Sequence, residues 1–307
     1  MAPTQQPWRV VVVTGERVGA RVDAIAAGAV PGFSKRAAKE MIAAGEITLN
    51  GKRTRKGEVP PAESRVEIWR EPTIAGWTPS PSDEIPLDVV YADENLLVVN
   101  KPSGVPSVPL HPGETRTLAG VVVHRFPECA PLCRRAGDGG LLQRLDTETS
   151  GAVMVARNRA VFDALLVAQR RGEVEKQYLA LVHTAEQIPS SIEIPLAPSG
   201  ARGHRMGPSS NGMHARTEVA VLTRSDSWAL VSATIHRGLR HQIRVHLASI
   251  GAPIVGDTLY GNVPAPPSVQ RLFLHAHRVS FVHPMHGEKL SIAVPLTKEL
   301  SKFVEKT

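Results

Sequence analysis

The chain has 307 residues, 42% of them hydrophobic and 21% charged, so it is long enough to bury a core and too apolar to be disordered. Its 36 Lys and Arg against 29 Asp and Glu leave a net +7, which favours a polyanionic partner, nucleic acid before an anionic membrane surface. Two cysteines exclude a disulfide scaffold, 4% aromatics argue against gripping single strands by stacking many bases, and no apolar run reaches a membrane span.

The residues before the short run Val10–Val13 lack the basic start and longer apolar stretch of a signal peptide, so a soluble, cytoplasmic protein is expected, with a monomer as the default. The length suggests two domains. Residues 1–70 hold 12 Lys and Arg against 7 Asp and Glu, a balance of +5, and the rest of the chain carries the other +2. Within a first domain at 8–70, Ser34 is a plausible cap and Gly45 a plausible stop for a helix with Ala37, Ala38, Met41 and Ile42 on one face. Lys35 and Lys39 share another face, with Arg36 beside them. Ile47 and Leu49 then alternate with polar residues, and Asn50-Gly51 supplies a tight hairpin turn. Lys52, Arg53, Arg55 and Lys56 follow it, and Val66 and Ile68 mark another strand. Helix and hairpin bring their cations together, which points to RNA, although an ordinary solvated face has the same composition.

This segment resembles the αL RNA-binding module shared by a small-subunit ribosomal protein and many RNA-modifying enzymes. Arg21-Val22-Asp23, Ser34-Lys35-Arg36 and Ala44 through Lys52 carry the likeness, while Glu63-Ser64 stands where the usual Gly-Asp precedes the last strand. The resemblance implies that Lys35, Arg36, Lys39, Lys52 and Arg53 contact RNA.

Residues 71–82 are rich in Pro, Ser and Thr and read as a linker. The second domain, 83–307, begins with short apolar strands at Asp88–Ala92 and Leu96–Val99. Helices are expected at Leu118–Phe126, at Phe162–Arg170 with a cap near Asn158, at His241–Ile250 and at Lys298–Lys306. Strands are expected at Ala152–Ala156, Tyr178–Val182, Thr217–Leu222, Trp228–Ile235, Ser280–Val282 and Leu290–Val294. Many strands, scattered helices and no regular βαβ alternation predict an α+β fold with a mixed, mostly antiparallel sheet.

No phosphate loop, HExxH or GxSxG pattern is present. Cys129, Cys133 and His124 fall short of the four ligands, usually in tight pairs, that a structural zinc site wants, and His275, His277, His283 and His286 fit structural roles better than a metal site. The most informative stretch is Gln143-Arg144-Leu145-Asp146-Thr147-Glu148-Thr149-Ser150-Gly151, where an apolar strand is expected to break into a polar turn. Taken alone, Asp146 fits a turn-capping role better than a catalytic one.

The wider pattern changes that balance. Asp93 through Gly104, Arg144 through Gly151, Lys176 through Ala180, Gly238 through Leu247, Gly251 through Gly261, Leu274-His275-Ala276 and His283-Pro284 occur in the order found in RluA-type pseudouridine synthases, and the domain resembles that family. Gln143 replaces the usual His before Arg144, Leu239 replaces a small polar residue, and Cys129–Gly140 reads as an insertion. The resemblance implies an isomerase that cleaves the glycosidic bond of uridine in structured RNA, ribosomal RNA favoured over transfer RNA. The uracil turns in its pocket and is rejoined through carbon, without a cofactor. It places the essential carboxylate at Asp146, its arginine partner at Arg244 and a base-stacking tyrosine at Tyr178, whose hydroxyl could help take the proton from carbon. Either role for Asp146, attack on the sugar or removal of a proton from it, needs an ionised group, and burial raises a carboxylate's pKa unless a cation offsets it. Arg144 is placed at the extruded target or a phosphate, and Lys101 in a structural position or near RNA. A catalytically silent RNA-binding or ribosome-assembly protein on the same fold, and more remotely a hydrolase using Asp146, are the alternatives.

Overall fold

The computed structural model describes residues 6–30, 33, 35–70, 77–183, 187–200, 205–261 and 271–304. The cap expected at Ser34 and the first half of the expected linker, 71–76, lie outside the described residues. The chain divides into two compact units, residues 1–78 with 133–138, and residues 79–132 with 139–307. Pro79 and Ser82, read from sequence as linker, are buried in the second unit, where the Ser82 amide donates to the Gly120 carbonyl.

In the first unit, β1 (Arg9–Val12), β2 (Ile47–Leu49), β3 (Lys52–Arg53) and β4 (Arg65–Ile68) form an antiparallel sheet in the order β1-β4-β2-β3, with α1 (Val22–Ala29) and α2 (Lys35–Ala44). Asn50 and Gly51 both take positive φ, as the tight turn between β2 and β3 requires. Val22, Ile25 and Ala26 of α1 and Ala38, Met41 and Ile42 of α2 bury one face of each helix against Ile47, Val66 and Ile68.

The second unit is built on β5 (Asp88–Ala92), β6 (Leu96–Lys101), β7 (Ser150–Ala156), β8 (Glu175–His183), β9 (Ser191–Glu193), β10 (Leu196–Ser199), β11 (Arg205–Pro208), β12 (Arg216–Arg224), β13 (Trp228–Ile235), β14 (Leu274–Val282) and β15 (Lys289–Ala293). Nine of these make one sheet in the order β5-β6-β7-β14-β8-β13-β12-β9, with β15 paired to β14, while β10 and β11 form a separate ribbon. Every pairing in the large sheet is antiparallel except β7 with β14, so the α+β expectation holds. Helices α3 (Leu118–Arg125), α4 (Arg159–Arg171), α5 (Gln242–Ser249) and α6 (Lys298–Val304) complete the unit. The Thr117 side chain caps α3 and the Asn158 side chain caps α4, and Gly172 in the left-handed conformation ends α4. The buried stripe Val161, Phe162, Leu165 and Leu166 of α4 joins the core made by Val153, Val155 and their neighbours.

One expected strand is absent. Residues 141–145 form none: Leu141 makes only an isolated bridge to Val155, after Gly139 and Gly140 with positive φ. Leu145 then turns under the 103–107 loop, where its amide donates to the Ser107 hydroxyl and its carbonyl accepts from it. Among the described residues no helix is long and apolar enough to cross a membrane.

Candidate active site

Asp146 sits on the loop that enters β7. Its backbone carbonyl accepts from the Thr149 amide at 3.0 Å, and the next carbonyl, Thr147, accepts from the Gly104 amide at 2.8 Å and from Lys101 Nζ at 3.0 Å. The Ser103 hydroxyl donates to the Glu148 carbonyl at 2.7 Å. The loop is thus tied down at three successive positions, two of them to the segment after β6, which fixes where the carboxylate points. Gly151 follows with φ +114, and a Cβ there would land on the Ala276 carbonyl of β14. Only glycine lets β7 come this close to β14.

The partner of Asp146 comes from α5. This helix is buried on nearly every side, and its three polar interior residues are all satisfied. Gln242 donates to the Arg216 carbonyl and to the Thr217 hydroxyl, and His246 lies between Thr217 Oγ1 and the Ile194 carbonyl. Arg244 gives Nη1 to Asp146 Oδ2 at 2.7 Å, and Nε and Nη2 to the two oxygens of Asp257 at 2.8 Å each. Asp257 also accepts from the amides of Leu259 and Tyr260. Burial pushes its carboxyl up, but Arg244 and those amides more than reverse this and hold it below the usual carboxylate range. The guanidinium, whose own pKa rises against the burial that would lower it, lies 5.2 Å from the Tyr260 ring centroid. The Asp146 side chain keeps 28% of its exposure while Asp257 keeps 1%, so one guanidinium joins a reachable carboxylate to an unreachable one.

Tyr178 lies on β8 opposite Ala276 of β14, which is itself opposite Gly151, so the tyrosine and the start of β7 share one row across three strands. The residue is 8% exposed, and its phenol is pushed well up, first by burial and then by the charge of Asp146. The phenol is therefore protonated near neutral pH. His241, not foreseen as a site residue, places Nε2 3.6 Å from Asp146 Oδ1 and Nδ1 2.7 Å from the Tyr260 hydroxyl.

Lys101, expected structural or near RNA, is fully buried, and the placement at RNA is corrected. Its ammonium donates to the carbonyls of Pro102, Val105 and Thr147, so it holds the Asp146 loop from behind. Burial lowers its pKa to about 7 although Asp146 pulls the other way, and three carbonyls at 2.6–3.0 Å use all three protons of the charged form. Arg144 is exposed beside the loop. In the first unit Lys35, Arg36, Lys52 and Arg53 are exposed; Arg36 pairs with Glu40, and Lys39 turns to buried Asp23 at 3.8 Å. The Arg53 guanidinium covers Gly45 at the end of α2, which joins hairpin to helix.

Among the described residues no three His, Cys, Asp or Glu side chains converge as metal ligands. Cys129 is core, its thiol pushed by burial to about 12. His275 bonds Ser150 and the Val294 carbonyl, and His283 bonds Asp93.

The profile of the RNA pseudouridylate synthase family matches residues 95–249, which span β6 through α5. The ribosomal large subunit pseudouridine synthase D of Xanthomonas campestris pv. campestris is 29% identical over 98% of this chain and 93% of its own. That of Xylella fastidiosa is 30% identical over 96% of this chain and 91% of its own. The solved human RNA pseudouridylate synthase domain containing 1 superposes with a TM-score of 0.53 at 26% identity, over 72% of this chain and 94% of its own.

Proposed function

This chain belongs to the RNA pseudouridylate synthase family and is an RNA-modifying isomerase, and from that premise we propose that it converts uridine to pseudouridine in large-subunit ribosomal RNA, with Asp146 as the essential carboxylate and no external cofactor. The observation that carries the assignment of Asp146 is the Arg244 bridge: a cation that cannot be neutralised lies 2.7 Å from Oδ2 of the one carboxylate in the pair that a substrate can reach. The names of relatives that align along nearly the whole chain support the ribosomal target.

The reaction breaks N1–C1′, turns the freed uracil and forms C5–C1′; C5 then gives its proton to a base and N1 takes one up from solvent. Atoms balance within the substrate, so no oxidant or group donor enters. Attack on the sugar and proton removal from it both use an anionic oxygen of Asp146, and Arg244 leaves Oδ1 for that role by occupying Oδ2. Tyr178, as a neutral phenol, stacks on the uracil and keeps it in the pocket while it is detached. Extruding a uridine from a helix costs a few kcal/mol. Phosphate contacts by Arg144, and by Lys35, Arg36, Lys39, Lys52 and Arg53 of the first unit acting as an αL-type module, offset that cost.

Forming C5–C1′ expels the C5 hydrogen, so RNA carrying tritium at C5 of uridine reports turnover. The intact protein releases tritium to water from large-subunit ribosomal RNA, and Asp146→Asn releases none. Equal release by the two proteins overturns the assignment.

A further inference from the structure

We propose that His241 is a positioning residue for Asp146, and that Tyr260 sets the tautomer in which it acts. This rests on Asp146 being the essential carboxylate.

The backbone is the first argument. His241 has φ +56 and ψ 16, the left-handed region, and it precedes α5 without making a side-chain cap. Glycine adopts that conformation at less cost, and a residue with a side chain held there invites the question of what that side chain contacts. Here the imidazole turns to the site.

Hydrogen bonding is the second. The Tyr260 oxygen already accepts from the Met206 amide at 2.9 Å. Burial raises the pKa of this phenol above its ordinary value, so it keeps its proton, and His241 Nδ1 at 2.7 Å is the acceptor beside it. An imidazole that accepts at Nδ1 carries its own proton on Nε2. Nε2 is the atom that faces Asp146 Oδ1, at 3.6 Å. That separation is longer than a hydrogen bond, and contacts of this kind close when substrate seats. Once that contact closes, the Nε2–H of His241 meets one lone pair of Oδ1 and leaves another for the reaction, while Arg244 holds Oδ2, so the plane of the carboxylate is set from both ends.

The charge state fits the same role. Burial lowers the His241 pKa, Arg244 and Arg240 lower it further, and Asp146 and Asp257 only partly oppose this. The imidazole is neutral near pH 7. It orients Asp146 as a dipole, without adding a second full positive charge that would damp the reactivity of the carboxylate.

The test uses the full chain with unmodified transcribed large-subunit ribosomal RNA, reading single-turnover tritium release and RNA affinity separately. His241→Ala lowers the rate about a hundredfold with RNA affinity unchanged, the scale of a misplaced reacting group. His241→Gln, whose amide nitrogen reaches the place of Nε2, recovers most of the rate. His241→Asn also suits the left-handed backbone, but its amide reaches only the place of Nδ1, and it recovers none. Tyr260→Phe also slows release, and adding it to His241→Ala costs nothing more. Wild-type rates in His241→Ala, equal recovery by Asn and Gln, or multiplying losses in the double variant overturn the proposal. Should the alanine variant fail to fold, the Asn and Gln pair decides alone. Full activity in Asp146→Asn removes the underlying reading; an inactive Asp146→Asn beside a normal His241→Ala removes only the role of His241.

Discussion

Arg244 holds two carboxylates with one guanidinium, and the geometry uses its fork: Nε and Nη2 on Asp257, Nη1 on Asp146. A lysine has the charge but not the fork, so Arg244→Lys serves one carboxylate at a time. We expect single-turnover rates to fall about a hundredfold in that variant, with folding retained because the charge on buried Asp257 is still met. A near-normal rate would show that the bridge is structural only. Of this site, Asp146 and Arg244 were legible from their motifs. Asp257 and Tyr260 lay in a recognised motif without a role, because their part depends on the chain folding back onto α5 across the 13 residues from Arg244 to Asp257. For Lys101 the resemblance left a structural position and one near RNA both open, and only the fold, in which three carbonyls draw the ammonium inward, decides for the structural one. A second residue-level expectation concerns pH. Burial takes the His275 imidazole from 6.5 to about 4, so between those values the unfolded chain binds a proton that the folded chain does not. Stability therefore falls as pH drops from 6.5 toward 4, by roughly 3 kcal/mol from this group. Urea midpoints of His275→Gln should start lower at pH 7 and decline less on acidification. An equal decline in both proteins would place the effect elsewhere.

At the level of elements, continuous apolar runs were the readable ones. β13 falls at Trp228–Ile235 as expected, and α4 starts at its predicted Asn158 cap. β10 and β11 were missed because Pro198, Gly207 and Pro208 break the local strand pattern, yet the two pair as a ribbon outside the large sheet. α1 was missed because it is short and carries Gly28, and its stability comes from packing Val22, Ile25 and Ala26 rather than from local preference. The apolar strand expected to break at Asp146 failed for a related reason: the apolar residues there serve a loop pinned by Ser107. The junction of β7 with β14 is the most constrained element contact near the site. Gly151→Ala puts a methyl against the Ala276 carbonyl and forces an unfavourable φ. Strain of about 1–3 kcal/mol corresponds to a drop in Tm of roughly 5 °C, and an unchanged Tm would mean that the strands separate without cost. Because the same junction fixes the row from Gly151 to Tyr178, activity should fall with it.

Over the whole molecule, charge is the feature that sequence displays and the fold organises. Residues 1–70 carry +5 of the total +7, and the first unit presents Lys35, Arg36, Lys52 and Arg53 to solvent. If these grip phosphates, affinity for structured RNA falls steeply with salt, and replacing the exposed four by glutamine flattens the log–log slope by about one unit for each phosphate no longer neutralised. An unchanged slope would remove the first unit from the RNA interface. The central claim concerns the second unit, where we propose that the carboxylate opposite Arg244 does the chemistry. Its most direct test is pseudouridine mapping of total RNA from cells that carry the intact protein or Asp146→Asn as the sole copy. One or a few large-subunit ribosomal uridines are expected to be modified only with the intact protein, all other positions being equal. Identical maps would contradict it.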